Sequence, residues 1–309
     1  MRTAHLVDGS LYVCRAWFAQ GPDVFDADGA PAHAVHGFTR FLLDLLERAQ
    51  PTHLAVAFDE SLTTCFRNAI YADYKANRPP APPDLLRQFD SCRRIAQALG
   101  AIVLRDTQYE ADDLIGSALE ALRRAGVRSV IVSADKDFGQ LIGLHDEQWD
   151  PSRNLRWDGA GVKQRLGVRP DQVADYLALT GDATDNIPGV PGIGAKTAAI
   201  LLHHFGTLDA LLERADEVAF LRTRGAAAAA QKLREHAELA RLSRRLTGIA
   251  LDAPVPADEA GYRRRAFDGE LEVLLDRLNF GPLTRTRVRA LATRREAAED
   301  AVIPAMREA

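Results

Sequence analysis

The stretch "GDATDNIPGVPGIGAKTAAILL", residues 181–202, decides between two architectures. Gly189 and Gly194 have the gap of an ATP-binding P-loop, and a Lys and a Thr follow. In a P-loop the Lys comes directly after the second Gly, on a loop fed by a hydrophobic strand. Here Ala195 intervenes, and the segment before the loop, "VADYLALTGD", has a helical pattern. "NIPGVPGIG" therefore reads as a tight hairpin between two helices. Glycines let backbone N–H groups approach an anion, and a helix start adds partial positive charge. The anion that suits a helix–hairpin–helix with basic residues nearby is a nucleic-acid backbone phosphate rather than a nucleotide triphosphate.

Outward from that hairpin, the chain divides in two. Four apolar runs read as buried strands, near 4–8, 53–59, 101–106 and 129–135, each ending in or just before an acidic residue. Helical patterns at 36–50, 85–100 and 110–126 alternate with them. This alternation predicts an α/β domain with a mostly parallel sheet. From about 169 the pattern is helical: the hairpin motif spans about 173–205 and a surface helix or helix pair spans 225–247. A linker at "LDAPVPADEAG" and a last helix at "ELEVLLDRLNF" follow. The expected units are a catalytic domain over 1–168, a helical DNA-binding subdomain over 169–290 and a loose tail over 291–309.

Bulk composition sets limits. The chain has 309 residues, and no apolar run reaches the roughly 20 residues that span a bilayer. Its start lacks a signal-peptide layout, and Cys14, Cys65 and Cys92 have no metal spacing, which suits reduced thiols in the cytoplasm. The net charge of −4 argues at first against nucleic acid as a partner. Setting aside nine carboxylates that converge on one pocket leaves +5.

Those nine follow from the sheet. Ligands of open parallel sheets bind beyond the carboxyl ends of the strands. Asp8 ends the first strand and Asp59 the second. Glu110, Asp112 and Asp113 open the helix after the third. Asp135 and Asp137 follow the fourth, and Asp182 and Asp185 come from the hairpin motif. One Asp at a strand end is usually a turn former or helix cap. Nine acids from separate segments would repel one another without cations. Oxygen-only ligands point to Mg²⁺ or Mn²⁺, in two or more ions, the arrangement that serves phosphoryl transfer. Beside them, "RNAIYADYKANR" (67–78) interleaves Arg67, Lys75 and Arg78 with Tyr71 and Tyr74. Basic groups meet phosphates and aromatics stack on unpaired bases, so the segment is expected as a helical excursion over the sheet edge.

As a set, "LVDGS", "AFD", "RNAIYADYKANRP", "YEADDLIG", "SADKDFGQL", "GDATDNIPGVPGIGAKTA" and "LLDRLNFGPL" resemble the 5′-3′ exonuclease / flap endonuclease family, most closely the 5′-nuclease domain of bacterial DNA polymerase I. They run in family order over about residues 4–283. The resemblance implies a PIN-like α/β domain, a helical arch over about 67–100 and a helix–three-turn–helix DNA-binding element. It implies a divalent-metal-dependent 5′-3′ exonuclease and flap endonuclease of DNA replication or repair, here free-standing and monomeric. All nine carboxylates match its metal-binding positions. Lys75 and Arg78 match arch residues at the scissile phosphate, and Arg15 matches another phosphate contact. Gly192, Ile193, Gly194, Ala195, Lys196 and Thr197 correspond to the duplex-gripping hairpin. In relatives the hairpin also holds potassium through backbone carbonyls, which here would belong to Leu179, Thr180, Pro188, Val190 and Ile193. The implied substrates are DNA with 5′ flaps, nicks or 5′ single-stranded ends, with RNA–DNA hybrid as a further one and no membrane partner. A non-catalytic junction-binding protein and a PIN-type ribonuclease are the alternatives. The full acidic set disfavours the first and the hairpin the second.

Overall fold

All five parallel strands of the sheet point one way, and each finishes at or just before an aspartate. β1 (Thr3–Asp8), β2 (His53–Asp59), β3 (Ile102–Asp106), β4 (Arg128–Val132) and β5 (Glu147–Asp150) are joined by β6 (Leu155–Trp157) in the order β3-β2-β1-β4-β5-β6. Only β6 runs antiparallel. The computed structural model describes residues 2–19, 21, 23–60 and 64–305. Chain direction across the sheet reverses between β3 and β4, which makes the gap between β1 and β4 the switch point where such sheets bind ligands. Asp8 and Asp135 flank that gap.

Helices cover both faces. α1 (Gly9–Ala19), α2 (His33–Ala49), α3 (Phe66–Ile70) and α4 (Pro83–Ala98) fall between the first three strands, and α5 (Ala111–Arg124) links β3 to β4. On one face Val7, Val56, Val130 and Val132 pack against Phe38, Leu42 and Ile95 of α2 and α4. On the other, Leu6 and Ile131 meet Leu114 and Ala118 of α5. The second core does not stop at the sheet. It runs on into the helical half, formed by α6 (Gly159–Leu166), α7 (Val173–Thr180), α8 (Ala195–Phe205), α9 (Leu208–Glu213), α10 (Ala226–Glu235) and α11 (Ala237–Thr247).

Three expectations change here. α4 does not stand over the sheet edge as part of an arch. Its face carrying Gln88, Cys92 and Ile95 is fully buried, and Gln88 Oε1 accepts the Ala34 N–H at 2.8 Å. The excursion is therefore limited to about 66–82. α12 (Glu270–Arg277) and the start of α13 (Pro282–Ala305) do not belong with the helical half. Leu271, Leu275, Phe280 and Val288 complete the core beneath α2, and Arg287 binds Glu47 of α2 through two N–H groups at 2.8 Å. α13 is helical to Ala305 where a loose tail was expected, and the last four residues, 306–309, lie outside the described ones.

The hairpin is built on two glycines packed back to back. Asp182 and Ile187 exchange backbone hydrogen bonds of 2.9 and 2.8 Å, which folds the intervening turn. Gly181 (φ +73°) and Gly189 (φ +64°) adopt left-handed conformations, and a Cβ on Gly189 would lie 2.3 Å from the Gly181 nitrogen. Only glycine tolerates both the dihedral and the approach. Gly189→Ala is expected to cost about 2 kcal/mol or more in urea denaturation. A midpoint equal to wild type would show that the α7–α8 turn is not held in this way.

Candidate metal centre and nucleic-acid interface

Backbone amides at helix starts hold the first group of acids. Asp8 Oδ1 accepts the Leu11 N–H at 3.0 Å, and its Oδ2 accepts the Ser133 hydroxyl at 3.0 Å. Asp59 Oδ1 accepts the Ala111 N–H at the start of α5, at 2.8 Å. Asp135 accepts the Asp137 N–H at 3.0 Å. Asp112, on the first turn of α5, lies within electrostatic reach of Asp8, Asp59 and Asp135. Burial raises its carboxyl well above the usual range, and the charges of Asp8, Asp135 and Asp59 add to the effect. Burial likewise lifts Asp8 to about 7, helped by Asp59 and Asp135 against the bond from Leu11. Four carboxylates from β1, β2, α5 and the end of β4 thus share one electrostatic site.

Asp135 also faces a second group. Burial and the Asp135 charge raise Asp137 to about 7, with Asp182 and Asp185 adding to it and Lys136 opposing. Asp182 and Asp185 come from the hairpin, so this group joins the two halves of the molecule. Lys136 stands inside it, its Nζ 2.5 Å from Asp182 Oδ2 and 3.2 Å from Asp137 Oδ1. Burial would raise Asp182, but the Lys136 hydrogen bond and charge, with the Thr184 and Asp185 N–H groups, hold it below the usual range. Lys136 was not singled out in the sequence. The signal was its place between two acids, in "ADKD".

Three residues play parts other than those expected. Arg67 is not a phosphate contact, because its side chain is 3% exposed and bonded on every side. It donates to both oxygens of Asp113 at 2.7 and 2.8 Å, to Glu110 at 3.0 Å and to the Leu246 and Gly248 carbonyls at 2.9 and 2.7 Å. Asp113, wholly buried, is consumed by that pair, by the Glu110 N–H and by the Ala250 N–H, so it cannot also face an ion. Tyr74 is buried rather than offered for base stacking, and its hydroxyl donates to Glu110 at 2.8 Å. Tyr71 is half-buried against a small core of Cys65, Tyr74, Ile187 and Leu246.

Lys75 and Arg78 do reach the acids. Lys75 Nζ donates to Glu110 and lies 3.8 Å from Asp185, while Arg78 binds Asp185 at 2.5 Å. Burial works against a low Glu110, yet the Lys75 and Arg67 charges hold its carboxyl below the usual range. Arg15 lies aside, its guanidinium on Ser152 Oγ at 3.0 Å and Asp150 at 3.4 Å. On the hairpin, Gly192, Gly194, Ala195 and Lys196 are exposed and Thr197 half-exposed. Ile193 is buried, so only its backbone is available. α8 starts at Gly194 with no side-chain cap, which leaves first-turn N–H groups for an anion. Of the carbonyls expected to hold potassium, that of Leu179 accepts the Val190 N–H and that of Val190 the Ile193 N–H.

The donors suit hard divalent ions, being all oxygen, mutually repelling and in part loosely held: Asp137 Oδ1 is buried, 3.2 Å from the Lys136 ammonium, with no hydrogen bond among the described residues. They are not drawn into a finished shell. Among the described residues no three such side chains close on one point as a ready-made ligand set. The residues fit ions that keep several of their waters.

Two family models match the chain in succession. One, described as 5′-3′ exonuclease, N-terminal resolvase-like domain, covers residues 3–167; the other, 5′-3′ exonuclease, C-terminal SAM fold, covers 168–270. The fold is thus a resolvase-like α/β domain joined to a SAM-fold helical one. The chain belongs to the 5′-3′ exonuclease family. It is 37% identical over 306 residues to DNA polymerase I of Rhizobium leguminosarum, covering 96% of this chain and 29% of that protein. Against DNA polymerase I of Pseudomonas aeruginosa the identity is 40% over 254 residues, 82% of this chain and 28% of the relative. The chain therefore spans under a third of the length of these relatives. Among solved structures, bacteriophage T5 5′-exonuclease with bound zinc superposes with a TM-score of 0.65 at 16% identity, covering 94% of this chain and 98% of that one. The catalytic core of Rad2 in complex with DNA substrate gives 0.64 at 14%, covering 94% and 92%. At such identities the likeness concerns the fold.

The raised carboxyls make a pH prediction. A carboxyl whose folded pKa lies above its unfolded one contributes stability at low pH and loses it as pH rises through the folded value. For Asp8 and Asp137 that loss runs from the ordinary carboxyl range up to about pH 7, where it is complete. A divalent ion competes with those protons, so the rise in Tm on adding Mg²⁺ should grow from about pH 5 to about pH 7 and level off above. Calorimetry with and without Mg²⁺ checks this, and a rise independent of pH would contradict it.

Proposed function

We propose that the chain is a divalent-ion-dependent 5′ nuclease that hydrolyses DNA phosphodiester bonds near 5′ ends and single-strand/duplex junctions. The observation that carries this reading is the meeting of Asp8, Asp59, Asp112 and Asp135 at the sheet's switch point, beside an uncapped hairpin helix. Asp8, Asp59, Asp112 and Asp135 would hold one Mg²⁺ or Mn²⁺, and Asp135, Asp137, Asp182 and Asp185 a second. Bound ions there would supply Lewis-acid stabilisation of charge on the phosphate during hydrolysis.

The protein's own side chains bind and orient the DNA. Lys75 and Arg78 sit where a phosphate arriving at the acids would meet them, and a cation there acts mainly on charge that grows in the transition state. Glu110 orients Lys75. The first-turn N–H groups of α8, with those of Gly192 and Gly194 before it, and the Lys196 ammonium grip a duplex phosphate without reading bases. Potassium held by the carbonyls of Leu179, Thr180, Pro188, Val190 and Ile193 would bring a further positive charge to that contact. The proposed substrates are DNA flaps, nicks and 5′ single-stranded ends, with the RNA of RNA–DNA hybrids as a secondary one. The protein would work as a cytoplasmic monomer in replication or repair. No helix among the described residues is long and apolar enough to cross a membrane.

One paired experiment separates chemistry from grip. Asp135→Ala should abolish Mg²⁺-dependent cleavage of a labelled 5′-flap substrate while junction binding persists. Near-normal turnover would remove the carboxylate site from the chemistry. Lys196→Ala should leave single-turnover cleavage at saturating enzyme intact and reduce the salt slope of duplex binding by about 0.9, the value for one phosphate contact. An unchanged slope would take Lys196 out of the interface.

A further inference from the structure

The chain places two kinds of cation among its acids, and they differ in how firmly they are held. Arg67 is immobile: its side chain is 3% exposed, and its guanidinium donates to two carboxylates and two carbonyls. Lys136 is different. Its side chain is 39% exposed, and among the described residues its ammonium pairs with Asp137 and Asp182 alone. Asp137 Oδ1, 3.2 Å from Nζ, is buried and makes no hydrogen bond.

From this geometry we infer that Lys136 is a tethered stand-in for the second divalent ion, holding Asp137 and Asp182 together until an ion displaces it. The inference rests on the two-ion reading above. Asp137 follows β4 and Asp182 follows α7, so the two acids belong to different halves of the molecule. Without a cation between them their repulsion would push the hairpin off the sheet edge. A lysine suits a temporary post, being a compact point charge on a flexible four-carbon stem. Since two fifths of its side chain is exposed, it can swing out without opening the core. A doubly charged ion with several oxygen ligands outcompetes one ammonium for the same acids once its concentration is high enough. The second position should therefore fill later than the first, at an ion concentration that Lys136 sets.

The test measures ion binding directly, on full-length protein without DNA, with Mn²⁺ as probe. Calorimetric and electron-paramagnetic-resonance titrations would compare wild type, Lys136→Met and Lys136→Arg. Wild type should bind one ion and then a weaker second. Lys136→Met should tighten the second by about tenfold while the first is unchanged. Lys136→Arg, which keeps the charge, should resemble wild type. In EDTA, Lys136→Met should melt below wild type, and saturating Mn²⁺ should close the gap. A second site that is unchanged or weakened in Lys136→Met would overturn the inference while leaving the two-ion reading in place. Wild type that binds no Mn²⁺ would overturn both. Lys136→Gln provides the same comparison if the Met variant does not fold.

Discussion

Mutual repulsion among carboxylates at the carboxyl edge of the sheet is the constraint around which this molecule is arranged. Asp8, Asp59, Asp112 and Asp135 arrive from four segments, and burial, with the charges of their neighbours, raises the carboxyls of Asp8 and Asp112. Nothing in the packing of the sheet requires acids there; Val7 and Val132 just below them are ordinary core residues. The helix-start amides at Leu11, Ala111 and Asp137 offset part of the cost, since a carboxylate that accepts backbone N–H groups is stabilised in its charged form. Lysines and arginines offset more. The remainder is left standing, and a divalent ion can relieve it.

The cations that relieve it also tie the molecule together. Arg67 joins the base of the 66–82 segment to the start of α5 and the end of α11, three elements far apart in sequence. Lys75 and Arg78 join the same segment to Asp185 on the hairpin, and Lys136 joins β4's end to Asp182. Each tie has an acid of the site, or its neighbour, at one end. Position of the hairpin relative to the sheet is thus coupled to the charge state of the site itself.

Much of this was legible in the chain. Each of the first four strands combines an apolar run with an acid at its end, and the structure returns them within a few residues, as it does α2, α4, α5, α7 and α8. β5 and β6 were missed because "EQWD" and "LRW" are short and half polar, and they pair only once β4 is present to template them. α4's amphipathic face showed that it was a helix but not where its apolar side would go. Arg67 and Tyr74 were misread for a physical reason. A basic-aromatic alternation looks the same whether it faces DNA or the core. What buries these two is Glu110 and Asp113, with the Leu246 and Gly248 carbonyls for Arg67, partners 36 to 181 residues away. Lys136 escaped notice because its role depends on Asp182, which the fold brings to it from 46 residues away.

The account stands on the claim that these acids are a shared seat for ions and not merely helix caps. Anomalous diffraction from crystals soaked in Mn²⁺ tests it most directly. The account predicts two peaks, one among Asp8, Asp59, Asp112 and Asp135 and the other among Asp135, Asp137, Asp182 and Asp185, with the Lys136 ammonium moved away from the second. Density that stays free of anomalous signal at the sheet edge at saturating Mn²⁺, with the acids still on their present backbone and side-chain partners, would contradict it.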